Sequence, residues 1–540
     1  MRLTFPRAVM AGALLTAAGA TCLFGSVSAT ASPRPEQGPG ALVVTRLHYA
    51  GTPGMITPGV TTLPTGAKAI ADGSFAHVWD NVTVDGNFGV TAPEYLDAYS
   101  TNGRPLGSYA VPAGARGRGD RSHDVMTGSF SSKSEGALNL STDGSSLSFM
   151  GYVAPANSLD VSNDNTPGVV DPTNPDSGTN YRAIGTVDSR GRFTVTETNA
   201  YSGDNGRAAI LDDATGRYYA AGNSNNGSGT GVPGVIYGTG AQLVTPAKGP
   251  ERVQKPGQPT PAGGFSVTQI GVAKADKLGK DTNFAGVTVH DGVVYYSKGS
   301  GSNGVDTIYF IDTTGKACPT GVGTPIRGAA APTTPDTVNP TTGEPGYNMC
   351  ILKGFPTGLA KSVTTPEVGG PQNATAFGAM WFANDSTLYV ADAGNGTDTN
   401  DGSTYTAAAQ QTLAGIQKWS LIAGTWTYDY TLQSGLGLGQ PYTVKGLPTG
   451  VNSLTGDPWA PAVDGVRNIA GRVNRDGSVS LWGVTSAIGG VSDPGADPNR
   501  IVTVTDRLSA QTVPSAARFT TVKAAAAGDV YRGVALAPSR

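Results

Sequence analysis

From about Ala41 to the end of the chain, short runs alternate β-branched or aromatic residues with polar ones and are separated by Gly, Asn and Asp. A period of two puts alternate side chains on one face of an extended strand, and no amphipathic helical pattern exceeds about two turns. The pattern predicts an all-β chain. One phrase recurs five times, an alternating run, a tight turn, then a second run rich in aromatics. Its copies start at Glu135, Arg207, Phe284, Phe377 and Asn468, with turns at Asp143-Gly144, Thr215-Gly216, Asp291-Gly292, Asp385-Ser386 and Asp476-Gly477. Asp-Gly between alternating runs is a strong hairpin signal.

The copies are spaced by 72, 77, 93 and 91 residues, longer than the ~40–50 of a compact propeller blade. Each interval must therefore hold a second hairpin. Tyr181 to Asp188 turning into Phe193 to Glu197 is one, and Gly415 to Leu421 turning at Ala423-Gly424 into Trp426 to Leu432 is another. Two hairpins make a four-stranded blade. The termini are complementary: Tyr531 to Leu536 is a sixth first strand without a following partner, and Leu42 to Tyr49, Tyr95 to Tyr99 and Leu106 to Val111 are three strands without a first. Pairing the last strand with Leu42 to Tyr49 closes a ring and removes two exposed sheet edges. The expected fold is a β-propeller of six four-stranded blades, or seven if residues 250–280, with Phe265 to Val272, hide another.

Composition agrees, since 77 Gly and 37 Pro in 540 residues disfavour long helices. Residues 1–31 read as a signal peptide, with Arg2 and Arg7, an apolar run from Ala8 to Phe24, and a small-residue cleavage site at Ala29-Thr30-Ala31. Residues 32–40 read as a flexible Pro/Gly leader and 41–540 as a single propeller domain. No later run is long enough to span a membrane. Cleavage would remove two of 37 basic residues and none of 40 acidic ones, leaving about −5, and no basic stripe is present to neutralise phosphates, so nucleic acid is a poor partner. Cys22 would leave with the signal peptide. Cys318 and Cys350 then form an even pair in a secreted chain, which reads as one disulfide pinning the Pro/Thr-rich stretch Thr324 to Tyr347.

The run Ser134 to Gly144, the segment Gly415 to Leu421 and the ending Arg532 to Pro538 resemble exported bacterial propellers of the NHL/YVTN-like kind. The resemblance implies a propeller fold and an extracellular setting. It implies no reaction and carries over no active-site residue.

No motif fixes a chemistry. Gly229 to Gly234 spells GxGxxG without the strand and helix of a dinucleotide site, and Arg118-Gly119-Asp120 lies in a basic, Gly-rich loop. GxSxG, HExxH and GxxxxGK[ST] are absent. Of four histidines, His48 falls in a strand, His290 precedes a turn, and His123, beside Asp120, Arg121 and Asp124, is the best general-base candidate. No cofactor is required. Two Asn/Asp-rich loops could offer oxygen ligands to Ca²⁺: Asp392, Asn395, Asp398 and Asp401 with Asn400, and separately Asn163, Asp164, Asp171 and Asp176.

The repeat makes a positional argument. First strands of propeller blades line the central channel, so residues at equivalent starts converge on one end of it. Those residues are Glu135, Arg207, Asn283, Arg467 with Asn468, and Arg532. They read either as mutually paired or as an anion-binding rim. The expected function is a secreted binding or scaffold module for an extracellular glycan, an anionic polysaccharide or envelope component. The alternative is a carbohydrate-active enzyme, a uronate lyase or a glycoside hydrolase.

Overall fold

The computed structural model describes residues 40–539 apart from 50–59, 61–89, 114–123, 130–134, 159–160, 172–175, 224–239, 247–261, 265–281, 300–302, 319, 337–347, 361–375, 448, 452–457 and 490–496. Strands dominate it, and one α-helix occurs among these residues, Thr406–Ala409. Six sheets form six blades. Blade 1 joins the termini in the order Asp529–Leu536, Leu42–His48, Glu94–Tyr99, Pro105–Ala110. Blade 2 contains Asn139–Leu140, Ser146–Tyr152, Arg182–Asp188 and Phe193–Thr198.

Blade 3 shows Gly206–Asp212, Arg217–Gly222 and Ala241–Val244. Blade 4 has Gly286–His290, Val293–Lys298, Thr307–Asp312 and Asn348–Leu352, with Val322–Gly323 added in parallel outside the last. Blade 5 comprises Phe377–Asn384, Thr387–Asp392, Gly415–Ile422 and Thr425–Leu432. Blade 6 comprises Ala462–Val473, Ser478–Ile488, Arg500–Arg507 and Thr520–Ala524.

The predicted hairpins hold in place and register. At Asp291-Gly292 both residues have positive φ, 49° and 75°, the type I′ geometry whose twist matches the flanking strands. Ring closure is antiparallel, with Val44 opposite Val534 and Leu42 opposite Leu536. The seam also carries polar bonds. Arg46 bonds Asp97 at 2.6 Å and Asp529 at 2.9 Å, and His48 meets Asp529 at 2.6 Å. The seventh-blade alternative fails because blades 3 and 4 touch directly at their inner strands, where Arg207 donates to the Phe284 carbonyl at 3.3 Å. Phe265 to Val272 lies outside the described residues.

The core is distributed among the seams between blades. Val43, Leu96, Leu138, Leu147 and Phe149 fill the seam of blades 1 and 2. Tyr389, Ile416, Val466, Leu481 and Val504 fill that of blades 5 and 6, and Leu42, Val44, Trp482, Val484 and Val534 that of blades 6 and 1. A four-stranded twisted sheet hides both faces only when neighbours cover it, so each blade depends on the next.

The expected disulfide is present. Cys318 and Cys350 are bonded, with Cα atoms 5.8 Å apart, and tie the outer strand of blade 4 to the segment before Val322. The chain beyond Gly323 reaches blade 3, where Tyr219 donates to the Pro332 carbonyl at 2.7 Å. Closing a loop of 32 residues should contribute roughly 3–4 kcal/mol by chain entropy. Reduction is therefore expected to lower Tm by several degrees without dispersing the ring, and intact mass should rise by two hydrogens; an unchanged melt would show that the bond restrains nothing.

Candidate functional site

In blades 2 to 6 the inner strand runs from its start at one end of the fold to a tight turn at the other, and in blade 1 it leads to the last residues of the chain. The two ends differ sharply in chemistry. At the turn end, short polar side chains bond within their own turns and to the next one: Asp143 accepts from Ser141 Oγ and the Ser145 amide, Asp476 from the Ser478 amide, and Asp213 from the Asp143 amide of the neighbouring blade. His290 lies stacked on Phe382 with ring centroids 4.4 Å apart and bonds Asp385, which also takes Arg327.

At the strand-start end, large charged side chains are enclosed. Glu135, Arg207, Asn283, Arg467, Asn468 and Arg532 are all buried, and Arg532 is 1% exposed. A strand start at a channel mouth would ordinarily contribute little interior; these residues are among the best covered. Arg532 donates from Nε to the Glu135 carbonyl at 3.0 Å and reaches the Ser129 carbonyl at 3.4 Å. Arg207 bonds Asn205 and the Phe284 carbonyl. Asn468 accepts the Val534 amide at 2.6 Å, linking blade 6 to blade 1. Arg207 and Arg532 thus fix neighbouring blades through backbone carbonyls, and Arg532 is coupled electrostatically to both Glu135 and Arg467.

Two members of this cluster are not among the residues predicted from the repeat. Arg182 is fully buried and donates to the carbonyls of Asp204, Asn180 and Ser162, with its guanidinium 5.6 Å from the Tyr152 ring centroid. Glu94 is also fully buried, and neither carboxyl oxygen has a hydrogen-bond partner. Both were legible in principle. Glu94 shares a strand face with Leu96 and Ala98, and Arg182 with Ile184, so alternation puts each charge inside.

Burial controls the electrostatics. It pushes the Glu94 carboxyl up to about 8, against the attraction of Arg532 and with the help of Glu135. Glu135 rises to about 7, also by burial, although the Tyr152 hydroxyl donates to it and Arg532, Arg207 and Arg182 favour its charge. Arg467 falls to about 9 through burial and repulsion from Arg532. A carboxyl raised in the folded state binds its proton more tightly there than when unfolded. The stabilisation from Glu94 is therefore complete below about pH 4 and is lost as pH rises through about 8.

The Asn/Asp-rich loops make the following local contacts. Asp392 is fully buried, accepts from the Gly394 and Ala376 amides and Gln417 Nε2, and rises to about 7 by burial. Asn395 caps the Thr397 amide, and Asp401 accepts from Ser403 and Thr404. In the second loop Asn163 ends a 3₁₀ turn, Asp164 accepts from Asn180, and Asp171 sits buried beside Asn165. Among the described residues, no three His, Cys, Asp or Glu groups converge on a metal-sized site. His123, Arg118 and Asp120 lie outside the described residues, as do Gly229 to Gly234 and residues 1–31; of Asp176 only the backbone, in the strand Asp176–Thr179, is described.

Together these features define a six-bladed β-propeller with a buried ionic cluster at one end of its channel. No protein-family profile matches the chain, and no curated protein sequence matches it. A solved structure of a Synechocystis apocarotenoid oxygenase mutant is similar at 9% identity, covering 83% of this chain and 58% of that one, with a TM-score of 0.21. The chain thus spans a little over half the length of that protein, and a likeness so distant transfers no activity. No helix among the described residues is long and apolar enough to cross a membrane.

Proposed function

We propose that the protein is an exported binding or scaffold module whose ligand is an extracellular anionic polymer, a polysaccharide bearing carboxylate or sulfate groups, held at the strand-start end of the channel. The observation that carries this reading is the enclosure of Arg182, Arg207, Arg467 and Arg532 in one electrostatic cluster with Glu94 and Glu135, while the hairpin turns carry short polar side chains and the partly exposed His290–Asp385–Arg327 group. Buried charges are costly to keep, and clusters of buried groups with shifted pKa are a physical pointer to a functional site. Guanidinium groups match carboxylate and sulfate geometry. The signal-like residues 1–31 and the single disulfide support an extracellular setting.

One observation favours an enzyme as the second reading. Glu94 and Glu135 are two carboxyls of raised pKa in electrostatic contact, with Tyr152 bonded to one of them, a combination suited to proton transfer. A panel of uronate-bearing, sulfated and neutral polysaccharides separates the readings when calorimetric binding is read beside reducing ends and unsaturated-product absorbance. Binding to anionic members without turnover is expected, and Arg467→Gln should weaken it by roughly 1.5–3 kcal/mol, the range for a hydrogen bond to a charged group. Turnover would replace the scaffold reading with the enzyme, and binding confined to neutral glycans would remove the anionic ligand.

A further inference from the structure

Two like charges of the cluster act on each other at the seam of blades 6 and 1. Arg467 and Arg532 are both buried there, and the charge of Arg532 lowers the affinity of Arg467 for its proton. The Asn468 side chain sits between their strands, its Oδ1 taken by the Val534 amide and its Nδ2 without a partner at 1% exposure. Two guanidinium groups and an unused amide donor in one enclosed place favour a negative guest.

On the other side of Arg532 stands Glu94. The two flank Gly136: a Cβ built on that glycine would come within 2.9 Å of Arg532 Cβ and 3.9 Å of Glu94 Oε1. Charged and titratable groups around Glu94 are Arg532 from the closing strand and Glu135 from blade 2. Behind Glu135 lie Tyr152, Arg182 and Arg207, and behind Arg532 lies Arg467, on which Asp464, Asp497 and Tyr442 also act, so an anionic guest at Arg467 competes with the carboxylates of Asp464 and Asp497. A carboxyl with two orphan oxygens is tolerable in such a place as the neutral acid. As a carboxylate, it would compete with any other anion for Arg532.

We propose that this end of the channel is a proton-coupled anion site, in which an anionic group binds between Arg467 and Arg532 beside Asn468 Nδ2 while Glu94 holds a proton, and is displaced when the Glu94 carboxylate forms. The proton comes from bulk water and returns to it. This deepens the anionic-polymer reading by giving it a regulator, and it rests on that reading for the sign of the ligand. It predicts loading in neutral or acid surroundings and release in alkaline ones.

The test uses the full exported chain with inorganic sulfate, whose charge is constant over the range, and with an oligogalacturonate, each titrated by calorimetry at pH 5.5, 7.0 and 8.5. Wild-type affinity should fall several-fold across this range, and binding at pH 8.5 should take up a substantial fraction of a proton, read from two buffers of different ionisation enthalpy. Glu94→Gln, which removes the competing charge while keeping the shape, should retain most of the acid-range affinity at pH 8.5, with any residual slope due to Glu135 and Arg467. Proton uptake by the wild type is an independent readout if the variant folds poorly. Equal slopes in wild type and variant, or no proton uptake, would overturn the coupling while leaving the anionic ligand standing. No binding of either probe at any pH would overturn both.

Discussion

A chain ending at Gly528 will fail to form a cooperative ring. The removed strand, Asp529–Leu536, buries Val530, Tyr531, Val534 and Ala535 between blades 6 and 2 and pairs along Leu42–His48. At about 1.5–3 kcal/mol per large buried apolar side chain, these side chains alone approach the whole stability of a typical domain, ~5–15 kcal/mol. The truncation also leaves Glu94 and Glu135 without Arg532 and bares an apolar edge strand prone to pairing with other chains. Near-ultraviolet circular dichroism and a melting curve of residues 32–528 against 32–540 decide the matter. A truncated chain that melts as sharply as the parent would mean that the terminal pairing is ornamental. Asp529→Asn is a milder probe. Its carboxyl is held below the ordinary range by His48 and Arg46 against the opposing effect of burial, so the stability it adds is present at neutral pH and lost in acid. The variant should be less stable than wild type at pH 7, and the gap should close as acid protonates the wild-type carboxyl.

Lys418→Met should cost about 3–5 kcal/mol, the range for breaking a buried ion pair from one side. Its ammonium group is fully enclosed, 3.6 Å from Asp506, and donates to the carbonyls of Arg507, Leu508 and Ala510 at 2.8, 3.0 and 2.7 Å. Asp506 in turn accepts from the hydroxyls of Tyr389 and Tyr430. The pair therefore bolts blade 5 to blade 6, and removing the cation strands the carboxylate in a closed seam. Urea denaturation should show a lower midpoint with an unchanged slope. Adding Asp506→Asn should recover part of the loss, because the stranded charge disappears. A single variant within 1 kcal/mol of wild type would show that water reaches the site and replaces the ammonium.

The hairpins of this fold were legible because each is local. An Asp-Gly pair needs only its own flanking alternation to be recognised, and the closing strand announced itself by an unmatched count of runs at the two termini. Val322–Gly323 left no such trace, since two residues cannot display a period and their partner strand lies a disulfide loop away. The strand-start residues were also found by position, from the repeat alone. Their enclosure was not, because the groups that meet Arg207 and Arg532, the Asn205 side chain and the Ser129 carbonyl among them, come from loops whose conformation no periodicity encodes. Asp392 shows the same limit: its place among Asn and Asp residues suggested an open loop, whereas alternation with Leu388 and Val390 points it inward, where Gln417 meets it. Glu94 carried a sequence signal that a search confined to first strands does not consult.

The glycines of the inner strands have a mechanical consequence. A methyl group on Gly378 would overlap the Arg467 carbonyl, one on Gly286 would press within 2.7 Å of the Gly378 carbonyl, and one on Gly533 would overlap the Leu138 amide. Backbone therefore bears on backbone at three of the six seams, with no side chain between to act as a cushion. Close-packed contacts of this kind compress very little, so the centre of the molecule behaves as a stiff hoop and the blades cannot slide past one another to widen it. On the proposed reading, a ligand at the strand-start end meets a ring that does not widen, so the hoop selects by size and the residues at its end by charge.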